Sequence, residues 1–450
     1  MSRKLARRDF FKMTGGALAV AAGARWLPTY LRKTLSPIEV GVANAQDADI
    51  DLFLGGTDGW IYLPPTPEIP PFHPDNLAPA PLTTYIFGFR NLTGLDPTNP
   101  ADYQLISNQK NKAQHSAPLF WTHQNTPFRV QLTNLGLALR PDLFDAHTVH
   151  WHGFRNVIPF FDGEPSSSVS VPTGRYFTYV YHAHEPGTYM YHCHVEDVEH
   201  VHMGMTGMVF VRPEQDGTPY TYGGRTFTKF VYNDADGSTG YDREFSMFLS
   251  EVWAEAHWAD AHIQLPEWSD YRADFTMLNG RVYPDTIAPN GSIDPFNPVR
   301  DASGDLIPTP GYEHLQYQPI SSLVRCNAGE HVLLRFANLG FKEASMTLTG
   351  IPMRVIGKDA TPMRGRDGTD TSYETETLSF NAGESIDAIF TAPAHSGGTG
   401  PDKYLLYNRR YTNANNRAPG GFGGQATEVH VYPTGALDTQ QYPNDWANLL

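Results

Sequence analysis

Residues 128–136, Phe128-Arg129-Val130-Gln131-Leu132-Thr133-Asn134-Leu135-Gly136, set apolar and polar side chains at alternate positions and stop at Asn-Leu-Gly. Successive side chains of a strand point to opposite faces, so this period of two describes a strand with one face in a core. Tyr176-Phe-Thr-Tyr-Val-Tyr181 and Gly207-Met-Val-Phe-Val211 read the same way, as short aromatic or β-branched runs bounded by turn residues. With 40 Gly and 36 Pro in 450 residues, the composition suits many short strands joined by turns better than a helical bundle. Glu251 to His262 is the best short-helix candidate after residue 46. The reading is all-β sandwich.

The opening stretch returns later in the chain. His331-Val-Leu-Leu-Arg-Phe-Ala-Asn-Leu-Gly340 resembles it, and Phe380-Asn-Ala-Gly-Glu-Ser-Ile-Asp-Ala-Ile389 resembles Val171-Pro-Thr-Gly-Arg-Tyr-Phe-Thr-Tyr-Val180. Tyr404-Leu-Leu-Tyr-Asn-Arg409 likewise resembles Tyr189-Met-Tyr-His-Cys193. The offsets, 204, 209 and about 216 residues, drift slowly, as duplication of one sandwich domain would leave them. The join is placed in the Gly/Thr/Asp-rich stretch Thr218 to Asp242, giving domains 46–225 and 226–450.

Residues 1–45 carry Arg7-Arg8-Asp9-Phe10-Phe11-Lys12, an apolar stretch from Met13 to Ala24, and Ala43-Asn44-Ala45 at cleavage spacing. This reads as a twin-arginine export signal, which places the mature protein in the periplasm or outside the cell. Its removal would take eight Lys/Arg and two Asp/Glu and shift the net charge from −15 to −21. Such acidity argues against nucleic acid as a partner. No later window has the length and apolarity of a membrane span.

Nine of the eighteen histidines fall between residues 147 and 202. They include His147-Thr-Val-His150-Trp-His152-Gly153, then His192-Cys193-His194, then His200 followed at five residues by Met205. On a strand His150 and His152 project one way, and His192 and His194 share a face opposite Cys193. Cys193 can therefore bind a metal inside its own sandwich while its neighbours face a second site outside. A thiolate, two imidazoles and a weak thioether form the ligand set of a blue-copper site, here His147, Cys193, His200 and Met205. His202 competes with His200, and Met203 and Met208 compete with Met205. Cys326, in Leu-Val-Arg-Cys, reads as a buried thiol, although two cysteines allow one disulfide.

These motifs, His-x2-His-x-His-Gly, His-Cys-His and His-x4-Met, resemble the multicopper oxidases, the laccase-like enzymes. The resemblance implies two cupredoxin-type Greek-key β-sandwich domains and copper as cofactor. It implies a type 1 copper at His147, Cys193, His200 and Met205, a type 2 ligand at His150, and type 3 ligands at His152, His192 and His194. It further implies that electrons enter at type 1 copper and pass through Cys193 to the flanking histidines, with dioxygen as acceptor.

The second half departs from the pattern. Ala344-Ser-Met-Thr347-Leu-Thr349-Gly350 stands where three histidines and a glycine are expected, and Asn408-Arg409-Arg410 replaces His-Cys-His. The second domain thus reads as structural, and one chain lacks four of the eight histidines of a full trinuclear cluster. Three readings follow. Another polypeptide supplies the missing ligands. The first-domain histidines hold fewer coppers, as in a copper nitrite reductase. Or only type 1 copper remains, in a non-catalytic electron-transfer or copper-binding protein. The reductant is expected to be a small organic molecule or a metal ion, and an oligomer or second subunit is expected to cover the histidine face. Asp162, Glu164, Glu196 and Asp197 are candidate proton relays. His182 and His184, and His257, His262 and His314, read more simply as non-ligands.

Overall fold

The structure is a computed structural model and describes residues 51–291, 308–416 and 423–446. The proposed export signal lies outside the described residues. Eight strands build the first sandwich: β1 (Leu52–Ile61), β2 (Thr84–Asn91), β3 (Phe120–His123), β4 (Pro127–Gly136), β5 (His150–His152), β6 (Tyr176–His182), β7 (Gly187–His192) and β8 (Thr206–Arg212). One sheet has the order β2-β1-β4-β6 and the other β3-β8-β7-β5. The opening stretch is β4, between β1 and β6, and its Phe128, Val130 and Leu132 enter the core. Each such burial is worth about 1.5–3 kcal/mol.

A hairpin, β9 (Tyr220–Tyr222) and β10 (Arg225–Phe227), precedes the second sandwich, and the boundary read at 225/226 falls within its second strand. There β11 (Arg243–Val252), β12 (Phe275–Leu278), β13 (Val324–Asn327), β14 (His331–Asn338) and β15 (Ala344–Leu348) come first. They are followed by β16 (Met353–Lys358), β17 (Thr361–Pro362), β18 (Tyr373–Thr375), β19 (Thr377–Phe380), β20 (Ser385–Thr391), β21 (Asp402–Asn408) and β22 (Ala426–Tyr432). The sheet orders β12-β11-β14-β20 and β13-β22-β21-β15 match the first sandwich strand for strand, with β16 to β19 added at the edges. The parallel pairs match too: β1 with β4 as β11 with β14, and β3 with β8 as β13 with β22.

The helix expected over Glu251–His262 is shorter, Ala254–Ala261. Glu251 and Val252 instead finish β11, because their backbones pair with Thr276 and Phe275 of β12.

The two sandwiches share an apolar seam in which Met190, Met208 and Phe210 meet Phe248 and Ala337. Beside it Arg335, fully buried, donates to Glu244 at 3.1 Å and to Asp387 at 3.4 Å. Thr188 of β7 donates to the same Asp387 at 2.5 Å. Arg212 of β8 is also bonded to Glu244. Four charges without water must satisfy one another, so this network fixes how β7 and β8 meet the second sandwich.

Candidate metal centre

Cys193 follows the last residue of β7, and the short helix Asp197–Met203 returns the chain to it. That turn brings His200 Nδ1 to 3.2 Å from Cys193 Sγ. His147, just ahead of β5, completes a group whose donor atoms all lie within 4.8 Å of one another, with all three residues buried. The backbone ties in the fourth residue. Met205 N–H donates to the His200 carbonyl at 2.9 Å, and Cys193 N–H donates to the Met205 carbonyl at 3.0 Å.

Among the described residues, neither ring nitrogen of buried His147 has a hydrogen-bond partner. An orphaned buried imidazole costs free energy unless something binds it. Burial pushes the Cys193 thiol up, but His200 and His147 outweigh it and hold the thiol well below its usual range. The group therefore offers a thiolate beside two imidazoles, which fits copper. Thr148 N–H, 3.5 Å from Cys193 Sγ, adds a donor to the sulfur.

His202 is elsewhere. Its Nε2 accepts from the Trp253 N–H at 3.0 Å. Met208 faces the seam between the sandwiches, whereas Met203 and Met205 are buried in the first core.

On the opposite side of β7, His150 and His192 are paired across β5 and β7. Carbonyl oxygens only accept, so they fix the tautomer of each ring. His150 Nδ1 donates to the Asp162 carbonyl at 2.8 Å, His192 Nδ1 to the Cys193 carbonyl at 2.8 Å, and His152 Nε2 to the Gly383 carbonyl at 3.0 Å. The remaining nitrogens all carry lone pairs. His152 Nδ1 and His192 Nε2 then face each other at 3.4 Å as two acceptors, an arrangement that a cation relieves. Ligand atoms of His150, His152 and His192 lie mutually within 4.8 Å. Burial lowers the pKa of all three, that of His192 to about 3, which keeps them in the neutral form that ligates metal. His194 is outside that group, with its ring centroid 4.8 Å from that of His150. The four histidines line a cavity of about 380 Å³ with Asp197, Leu339, Phe341 and Gly383, so the second sandwich of the same chain forms part of its wall.

The corresponding place in the second sandwich has no ligands. Met346 pairs with Asn408 as His150 pairs with His192, one residue from the alignment read in the sequence. Met346 is packed in the core, and Asn408 donates to the Gln425 side chain at 2.8 Å.

Other candidates separate. Asp162 holds His150 through its backbone carbonyl, Asp197 lines the cavity, and Glu164 is bonded to Ser166. Glu196 groups instead with Asp145 and His200. His182 and His184 are exposed, and His184 bonds to Asn125 at 2.9 Å. His257 donates to the Tyr85 carbonyl at 2.6 Å, while His262 and His314 face Asp75 and Asp285 at 3.1 and 3.3 Å. Cys193 and Cys326 are both free, and burial pushes the Cys326 thiol up to about 12.

Three contributors were missed in the sequence. Asp145 lies 3.6 Å from His200 Nε2, and the Gly383 carbonyl reaches His152 across 231 residues. Gly56 is the third: a Cβ there would stand 2.7 Å from His147 Cδ2, so only glycine leaves room for the imidazole. A glycine pair inside an otherwise apolar strand is a signal of such close approach.

Residues 115–216 match the family model described as multicopper oxidase. No curated protein matches the chain in sequence. Among solved structures, the blue copper oxidase from Nitrosomonas europaea is similar at 18% identity and TM-score 0.52, over 88% of this chain and 90% of that one. The multicopper oxidase mgLAC is similar at 19% and 0.53, over 88% and 92%. The copper nitrite reductase from Nitrosomonas europaea is similar at 14% and 0.51, over 88% and 98%. These likenesses establish the shared two-domain cupredoxin fold.

Proposed function

We propose that this chain, a member of the multicopper oxidase family, is an exported copper oxidase that takes single electrons from a small reductant or metal ion and delivers them to dioxygen. The observation that carries the reading is the position of Cys193. Its side chain belongs to the inner group and its carbonyl accepts from His192 of the outer group. When bound, copper supplies reversible one-electron chemistry at each group. His147, Cys193, His200 and Met205 would hold the inner ion, and His150, His152, His192 and His194 the outer metal. Burial of the inner group excludes water from the thiolate. Asp197, in the wall of the outer cavity, is placed to relay protons there. A second subunit over the open side of that cavity would supply the ligands that the second sandwich lacks.

The rival reading is an electron carrier, or a nitrite reductase-like enzyme with fewer coppers. The second sandwich favours it, since Met346 and Asn408 stand where the chain would otherwise supply further histidine ligands. Copper stoichiometry with absorption and spin-resonance spectra separates these. Three or four coppers per chain, with oxygen uptake lost in His152→Ala/His194→Ala while the blue colour stays, supports the oxidase. One copper per chain and no oxygen uptake with any donor overturns it.

A further inference from the structure

A second cavity, of about 250 Å³, lies at the far end of β7, between the two sandwiches. Glu185 and Pro186 in its wall precede β7, whereas Cys193 follows it. Six strand residues separate the two places by about 20 Å. The cavity is thus remote from the inner group, and it shares no lining residue with the outer one, although Arg155 follows His152 by three residues.

Its lining is divided chemically. Ile356 and Ala360, 2% and 3% exposed, give an apolar wall with Pro362 and Met363. Three guanidiniums, Arg155, Arg354 and Arg364, enter the same space. Arg364 is committed to Asp236 at 2.8 Å. Arg155 and Arg354 form no ion pair among the described residues: Arg155 donates to Thr361 Oγ1, and Arg354 to the Ser238 carbonyl and to Ser372 Oγ. Asp234 is already satisfied, accepting from Gly237 N–H at 2.9 Å, Thr239 N–H at 2.6 Å and Gln215 at 2.7 Å. Asp370 accepts from Ser372 N–H at 2.8 Å, and Glu185 adds a further negative charge to the wall.

We infer that this cavity binds a small organic monocarboxylate, its apolar body on Ile356 and Ala360 and its carboxylate on Arg354 and Arg155. Guanidinium matches carboxylate with paired N–H donors, and apolar pockets with a few convergent polar groups at domain junctions are the usual form of small-molecule sites. Glu185 and Asp370 restrict the ligand to one negative charge, because a second would meet them. The assignment does not depend on which acceptor the copper centres serve.

Benzoate titrated calorimetrically into the copper-loaded full chain tests it. The expected result is one saturable site per chain, with copper absorption and spin-resonance spectra unchanged at saturation. Arg354→Gln should weaken binding at least tenfold and Arg155→Gln severalfold, while phthalate and benzamidinium bind more weakly than benzoate. Absence of saturation, equal benzoate affinity in both arginine variants, preference for benzamidinium, or a benzoate-induced change in the copper spectra would each overturn the assignment. Arg155 is exposed and its substitution leaves the core intact, so a poorly folding Arg354 variant would still leave the test decisive.

Discussion

The two sandwiches have the same strand order and the same parallel pairs, yet only one gathers metal donors. The difference is a matter of space as much as of ligands. Asn134 of β4 lies beside Gly56 of β1, and Asn338 of β14 lies beside Leu249 of β11. Where the first sandwich has glycine and gives the volume to His147, the second fills it with a leucine of its core. A metal site in this fold needs a strand opposite that has been emptied. Histidines grafted onto the second sandwich alone would therefore meet Leu249.

The strongest test of the contrast uses the two thiols. Cys193→Ser should abolish the intense visible absorption of the copper–thiolate bond and lower the copper content by about one ion per chain. Cys326→Ser should change neither, and should cost only about 1–3 kcal/mol, for a hydroxyl in an apolar place. An absorption spectrum and a metal assay of both variants decide it, and a blue Cys193→Ser protein would move the centre elsewhere. Met205→Leu should keep the colour and shift the reduction potential, since an axial ligand tunes that quantity. An unchanged potential would point to Met203.

If the second sandwich is a structural partner, its hold on β7 and β8 should be costly to break and spectrally silent. Arg335→Leu removes the cation shared by Glu244 and Asp387 and leaves Asp387 without an ion-pair partner among the described residues. Truncating one side of a buried ion network costs about 3–5 kcal/mol. Urea unfolding should show that loss while the visible spectrum at 25 °C stays as in the parent. A spectral change would mean that the network also positions the ligands.

Gly56→Ala sharpens the argument about space. The added methyl would enter His147 at 2.7 Å, and either the imidazole or β1 must shift. We expect weaker copper retention and an altered spectrum, at a stability cost of about 1–3 kcal/mol from overpacking. Copper affinity equal to the parent's would show that β1 moves instead.

Much of this was legible in the sequence because it is local. The period of two in residues 128–136 and its return at 331–340 declared the sandwich and its duplication. His-Cys-His carries its two-faced geometry in three consecutive residues. The spacing to Met205 singled out His200 over His202, and the fold sets His200 Nδ1 3.2 Å from Cys193 Sγ. What stayed hidden depends on distant strands. Nothing around residue 383 indicates that its carbonyl meets His152, and the one-residue shift of Met346 against Asn408 is set by pairing register. His115, His202 and His257 illustrate the same point: their side chains lie in one buried region because β11 and its following helix fold onto the first sandwich.

That third histidine group also supplies the smallest effect. His115 and His257 are fully buried, and burial lowers each of them to about 4, with repulsion from His257 adding to it at His115 and from His73 at His257. His202 is lowered as well, for the same reason. His257 donates through Nδ1 to the Tyr85 carbonyl, which supports either ring form, and burial outweighs that bond to favour the neutral one. In the unfolded chain His115 and His257 take up protons near pH 6.5, the ordinary value, while the folded protein refuses them until about pH 4. The unfolded state therefore binds more protons between those values, and stability falls as pH drops through the window. The slope is about 1.4 kcal/mol per pH unit for each such histidine. Below about pH 4 the folded rings protonate too and the loss levels off. His257→Gln keeps a donor for the Tyr85 carbonyl but removes the titrating ring. Unfolding free energies at pH 7 and pH 5, measured at one copper loading, should fall less for this variant than for the parent, by about one histidine's share. An identical pH slope in parent and variant would mean that His257 is not the group that resists protonation.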